Sequence, residues 1–130
     1  MINTYGLTHV ALAVSDCSRA FEFYHAVFGV LEVYRGEDFI QAQTPGTRDV
    51  IVFAADAERA GRTGGITHFG FRLVDPAAIE DAARAVEGAG GRILDKGEFS
   101  PGAPYVFFAD PDGYEVEIWY ELPTAVDPDE

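Results

Sequence analysis

One cysteine, Cys17, is all the thiol chemistry this chain has, so an internal disulfide is excluded. A lone thiol fits a reducing compartment, and cytoplasm is the expected location. Cations are scarce too: 9 Lys and Arg face 22 Asp and Glu, a formal net charge of −13. A surface of that sign repels a phosphate backbone at long range, which argues against nucleic acid as a partner. Solubility is the commoner meaning of such acidity, and attraction of a cationic ligand or metal ion is the other. No apolar run approaches the roughly 20 residues that span a bilayer, so no membrane partner is expected. Met1 to Gly6 lacks a charged stretch leading into an apolar one and does not read as a signal peptide. What the chain does have is core-forming material. With 48% hydrophobic residues over 130 positions it can bury one domain without staples.

That material is arranged as a repeat. Gly6-Leu7-Thr8-His9-Val10-Ala11-Leu12 returns as Gly65-Ile66-Thr67-His68-Phe69-Gly70-Phe71, matching position by position in type. A period of about sixty residues, present twice, is too long and too few for a solenoid. Each copy runs into a helix and then three strand-like segments, giving two βαβββ modules. In the first, Ser15 or Asp16 caps a helix over 18–28 with Phe21, Tyr24 and Phe28 on one stripe beside Ala20 and Val27, and Gly29 ends it. In the second, Asp75 caps, Pro76 takes the first turn, and Ile79, Ala82, Ala83 and Val86 form the buried stripe before Gly88. Strands are expected at 30–34, 39–43 and 50–54, then at 92–94, 105–109 and 114–120. The expected class is α+β: two βαβββ modules forming a cupped mixed β-sheet with the helices outside. Module one covers about 5–55, a polar linker 56–64, and module two 65–121, within one domain of residues 1–123. The acidic tail, 124–130, is expected to fray.

Strand alternation then locates the chemistry. Val10, Leu12 and Val14 share one face with burial to gain against a helix, which turns His9, Ala11 and Ala13 the other way. In the second copy Phe69, Phe71 and Leu73 take the helix face, leaving His68, Gly70 and Arg72 opposite. Both histidines therefore project from the helix-free surface beside residues small enough to leave room. In the last strand Glu117 lies opposite the aliphatic pair Val116 and Ile118. Two imidazoles and a carboxylate suit Fe, Mn, Zn, Ni or Co, with open positions for water or substrate. Tyr34, Phe39, Phe53, Phe107 and Trp119 are candidate walls for a mostly apolar ligand. Arg72 reads either as a substrate contact or as a solvated strand end, and Tyr105 either as a hydroxyl donor or as a plain strand aromatic.

These residues resemble a known family. The His9 strand with Val14-Ser15-Asp16, then Phe21-Glu22-Phe23-Tyr24 before Phe28-Gly29, is similar to the opening module of vicinal-oxygen-chelate proteins. Asp110-Pro111-Asp112-Gly113 followed by Val116-Glu117 resembles their closing signature. The superfamily groups glyoxalase I, extradiol dioxygenases, fosfomycin-modifying enzymes, methylmalonyl-CoA epimerases and bleomycin-type drug-binding proteins. The resemblance implies a divalent metal in the cup, chelated by vicinal oxygens of a small-molecule substrate. It implies His9, His68 and Glu117 as metal ligands and a homodimer as the common assembly. It leaves two readings: a metal-dependent enzyme of dioxygenase, lyase or transferase type, or a metal-free resistance protein that sequesters a drug or metabolite.

The departures narrow the subfamily. Glyoxalase I and the epimerases usually carry a fourth ligand where this chain has Val50-Ile51-Val52-Phe53. Extradiol dioxygenases have a tyrosine where this chain has Phe107, and their additional histidine has no counterpart, since the third histidine is His25 on the first helix. Arg35, Lys96 and Ser100 are candidate neighbours of Arg72 for a phosphonate, but the potassium loop and late arginine of fosfomycin enzymes are not recognisable. No catalytic residue beyond the metal set is assigned.

Overall fold

The structure, a computed structural model, describes residues 1–129; Glu130, the last residue of the expected acidic tail, lies outside the described residues. The first module comprises β1 (His9–Val14), α1 (Cys17–Phe28), β2 (Leu31–Arg35), β3 (Phe39–Gln43) and β4 (Val50–Ala55). The second comprises β5 (Phe69–Arg72), a 3-10 turn (Pro76–Ala78), α2 (Ile79–Gly88), β6 (Arg92–Glu98), β7 (Pro104–Ala109) and β8 (Glu115–Trp119).

Local chemistry sets the helix ends. The Asp16 carboxylate accepts the Arg19 N–H at 3.0 Å, capping α1, and Gly29 ends it in the left-handed region at φ 72°. Asp75 caps through the Ala77 N–H at 2.9 Å. The turn that follows is 3-10 rather than α, and the α-helical bonds begin only at Ile79. On α1 the buried residues are Ala20, Phe23 and Tyr24, so Phe23 joins the expected stripe. The reason is tertiary. The Tyr24 ring lies 5.3 Å from Phe53 on one sheet and 6.5 Å from Phe69 on the other, while Phe23 meets Phe108 at 5.9 Å. A helix covered on two sides needs a wider apolar stripe than one lying on a single sheet.

The strands form two four-stranded mixed sheets of the same topology, β1-β4-β3-β2 and β5-β8-β7-β6, with β1 parallel to β4 and β5 parallel to β8. β6 runs to Glu98, past the expected 94, because it pairs antiparallel with β7 as far as Glu98 opposite Pro104. Leu12, Val14, Ile40, Ile51 and Phe53 from the first sheet and Val116, Ile118 and Phe108 from the second turn inward and share one core with both helices. Each fully buried large side chain contributes about 1.5–3 kcal/mol to that core.

A polar clasp ties the modules together. Asp110, in the turn between β7 and β8, accepts the Tyr24 hydroxyl at 2.7 Å and the N–H groups of Asp112 and Tyr114 at 3.0 and 2.9 Å. Asp112 accepts the Ser15 N–H at 3.1 Å and its hydroxyl at 2.6 Å, and the Tyr114 hydroxyl donates to the Ala13 carbonyl at 2.7 Å. Ser15 is thus used between modules, while Asp16 alone caps the helix. The consequence for function is that each sheet keeps one helix-free face pointing away from the common core.

Candidate metal and ligand site

Register converts strand alternation into a map of the second sheet's helix-free face. Gly70, Glu117, Phe107 and Asp95 lie across it in one row, and Arg72, Trp119, Tyr105 and Gly97 in the next. His68 immediately precedes β5, and its Nε2 lies 3.4 Å from Glu117 Oε1. Among the described residues Glu117 is one of two charged residues buried as a whole, 9% exposed. Burial pushes its carboxyl above the usual glutamate range, and the adjacent His68 pulls the other way. The Thr67 hydroxyl sits 3.0 Å from His68 Nδ1, so one ring nitrogen is held while Nε2 faces the carboxylate. The edge of Phe107 meets the His68 ring at 5.1 Å.

Glycine makes space on this face, most tightly at Gly70. A Cβ on Gly70 would stand 2.7 Å from the Glu117 carbonyl and 2.9 Å from the Trp119 ring. Trp119 can therefore lie across β5 only because residue 70 has no side chain. Beyond it Tyr105 stacks on Phe99 at 4.3 Å and donates to Asp95 at 3.3 Å. Phe99, Ser100, Ala103, Glu117, Trp119 and Leu122 are among the lining of a cavity of about 500 Å3 at this end of the sheet.

His9 opens β1 on the helix-free face of the first sheet, opposite Val50 in register. Ala11 and Ala13 follow it beside Val52 and Ala54, and Tyr34 stacks on Phe39 at 5.8 Å toward the outer strand. His9 is exposed and does not join His68 and Glu117. Among the described residues no three His, Cys, Asp or Glu side chains converge as a metal would need.

The remaining candidates separate. Phe53 is not a cup wall: it is fully buried, because in β4 it alternates with Val52 and turns to Tyr24 in the core. Tyr105, Phe107 and Trp119 share the helix-free face with Glu117, whereas Tyr34 belongs to the first sheet. Arg72 is an exposed strand end, but its guanidinium has a partner. It pairs with Asp127 at 3.2 Å. Arg35 pairs with Glu32 on β2, and Lys96 faces Glu80 across 3.8 Å, so neither joins Arg72. His25 places Nδ1 2.8 Å from the Val30 carbonyl, a structural use in the first module. Thr67, Phe99 and Asp127 were not among the expected site residues. The repeated Thr-His pair carried a signal for Thr67; nothing local pointed to the others.

Two βαβββ modules, each presenting an open strand face with a histidine at the same position, define a protein of the cupped-sheet class. The sequence profile of the Glyoxalase/Bleomycin resistance protein/Dioxygenase superfamily matches residues 6–118, and the chain belongs to that superfamily. It is 31% identical over 125 residues to the uncharacterised protein PA2024 of Pseudomonas aeruginosa, covering 90% of this chain and 89% of that one. Its fold is similar to lactoylglutathione lyase from Agrobacterium tumefaciens (TM-score 0.70, 20% identity, 90% of this chain and 94% of that one). It is also similar to a mutant of the fosfomycin resistance protein FosX from Listeria monocytogenes (TM-score 0.72, 19% identity, 89% and 90%), which was solved with Mn(II) and a dihydroxypropylphosphonic acid.

Proposed function

We propose that this protein is a divalent-metal-dependent enzyme acting on a small oxygenated organic molecule, with His9, His68 and Glu117 holding the metal. The carrying observation is the pairing of His68 Nε2 with a buried Glu117 carboxylate at 3.4 Å on a helix-free strand face. A buried carboxylate shifted upward by desolvation gains when a cation shares its site. The donor set, imidazole nitrogen with carboxylate oxygen, fits Fe, Mn, Zn, Ni or Co. When bound, such a metal acts as a Lewis acid that holds and polarises neighbouring oxygens. The protein's own groups do the rest. Thr67 orients the His68 ring, Phe107 packs against it at a right angle, and Gly70 lets Trp119 wall the ligand space.

One chain brings two of these donors together, so His9 is assigned from a second copy. In such a homodimer the open face of the first sheet covers the open face of the partner's second sheet. The similarly folded FosX bound to Mn(II) supports metal use in a cup of this kind.

Elemental analysis of protein purified without chelators tests the proposal. The expected result is about one metal per chain, lost in His68→Ala and Glu117→Ala. Metal in roughly 100-fold excess over its Kd should stabilise the wild type by about 2.7 kcal/mol and leave Glu117→Ala unmoved. No metal, with no change in thermal stability on adding Mn or Zn, would sink it in favour of a metal-free sequestering protein.

A further inference from the structure

Arg72 closes the second sheet's helix-free face, and a carboxylate from the far end of the chain already occupies it. Its Nη1 and Nη2 donate to Asp127 Oδ1 and Oδ2 at 3.3 and 3.2 Å, the parallel fork by which guanidinium binds an organic anion. Nη2 also donates to the carbonyls of Glu121 and, at 3.5 Å, Leu122. Asp127 accepts the Thr124 N–H and hydroxyl at 3.0 and 2.9 Å, which closes residues 124–127 into a turn. Residues 121–127 therefore run back over the end of the sheet as a strap, where a frayed tail was expected. Arg72 and Thr124 together draw the Asp127 carboxyl down to about 2. It therefore stays ionised at neutral pH, and the pair is lost only in strong acid.

What holds the strap is weak. Leu122 and Val126 are exposed, at 59% and 91%, so little apolar burial pins it. The Arg72 and Asp127 side chains keep 34% and 29% of their surface in water. An ion pair that wet adds little net stability, which puts it within reach of a competing anion. Trp119 is the register partner of Arg72, its ring lying over Gly70. Arg72 does not line the cavity itself, but Glu121 and Leu122, whose carbonyls it holds, line it with Phe99, Trp119 and Glu117. Four residues of strand at about 3.3 Å each separate His68 from Arg72, roughly 13 Å. One end of this face therefore offers metal-type donors, the middle an aromatic wall, and the far end a guanidinium.

We propose that Arg72 is the anion-recognition end of the ligand site, and that Asp127 is an internal stand-in which the ligand's own anionic group displaces. This rests on the functional reading above and names the substrate class: an organic anion with a flat apolar body, its oxygenated end toward His68 and Glu117. A chain with a net charge of −13 repels anions at long range, so a fixed guanidinium is what such a ligand requires. Asp127 keeps that guanidinium satisfied between ligands and excludes anions that cannot also use the aromatic wall.

Trp119 is the chain's one tryptophan and supplies the readout. Benzoate is titrated against chelator-treated full-length protein while tryptophan emission is followed, with benzamide as the neutral counterpart. Benzoate should give a saturable change in the wild type. Asp127→Asn should tighten its apparent Kd roughly two- to sixfold by removing the competitor. Arg72→Gln should abolish saturation, and benzamide should respond equally weakly in the wild type and in Asp127→Asn. Equal benzoate affinity in the wild type and Asp127→Asn, or benzamide binding as tightly as benzoate, overturns the proposal. Because the protein is chelated, the benzoate–benzamide difference is read independently of metal. Its failure leaves the metal stoichiometry standing, and the reverse holds too.

Discussion

Tyr24 and Asp110 are the pair of side chains on which the join between modules depends. Both are buried, and burial raises the pKa of each, Asp110 despite three donors that favour its ionised form. A carboxyl raised in the folded state contributes its full stability below the ordinary aspartate pKa and loses it as pH rises through the folded value. The Tyr24 hydroxyl limits that loss. Tyr24→Phe should cost about 1–3 kcal/mol at neutral pH, because an ionised buried carboxylate loses a donor. The cost should shrink as pH falls through the raised Asp110 pKa, since the protonated acid needs the donor less. Urea denaturation of both proteins from neutral pH down to the ordinary aspartate range measures this, and a cost that grows toward acid would contradict it.

At the scale of elements, two glycines do different work. Gly29 ends α1 at φ 72°, where a side chain strains the backbone, and its would-be Cβ meets nothing within 4 Å. Gly29→Ala should therefore cost about 1 kcal/mol and leave the Trp119 emission spectrum unchanged. Gly70 lies in β5 at an ordinary φ, but its added Cβ would strike the Glu117 carbonyl and the Trp119 ring. Gly70→Ala should cost about 1–3 kcal/mol and also shift the emission, because the indole must leave its place. Thermal melts with matched emission spectra separate the two. An unshifted spectrum in Gly70→Ala would mean that Trp119 does not depend on that opening.

For the whole molecule, the arrangement of the sheets leaves open the faces that the proposed assembly would use. Inward faces share one core, which leaves the outward face of each sheet uncovered, including Leu31 on β2 at about half exposure. The homodimer proposed above predicts sedimentation at twice the 14.1 kDa chain mass. It also predicts complementation. His9→Ala and Glu117→Ala chains, each metal-free alone, should regain roughly a quarter of the wild-type metal when unfolded and refolded together. Half of the random dimers are then mixed, and one of the two sites in each has intact ligands. If all three ligands came from a single chain, mixing would restore none.

The sequence by itself determined the repeat, the strand faces and the caps, since each is a short-range matter. The paired Thr8-His9 and Thr67-His68, the alternation of Phe69 and Phe71 with Gly70 and Arg72, and Asp16 before α1 are written within a few residues. Side-chain period and capping chemistry act over that range. Tertiary structure decided what depends on distant neighbours. It turned Phe53 inward to Tyr24, although the alternation in β4 alone left its two faces equally apolar. It widened the stripe of α1 to include Phe23, because a second sheet covers the helix. It brought His68 to Glu117 and left His9 on the other sheet, and it set Asp127 on Arg72 across 55 positions of chain. No local pattern encodes these pairings. They follow from how two similar modules pack about both helices in one shared core, and that packing is settled by the burial of both inward faces together.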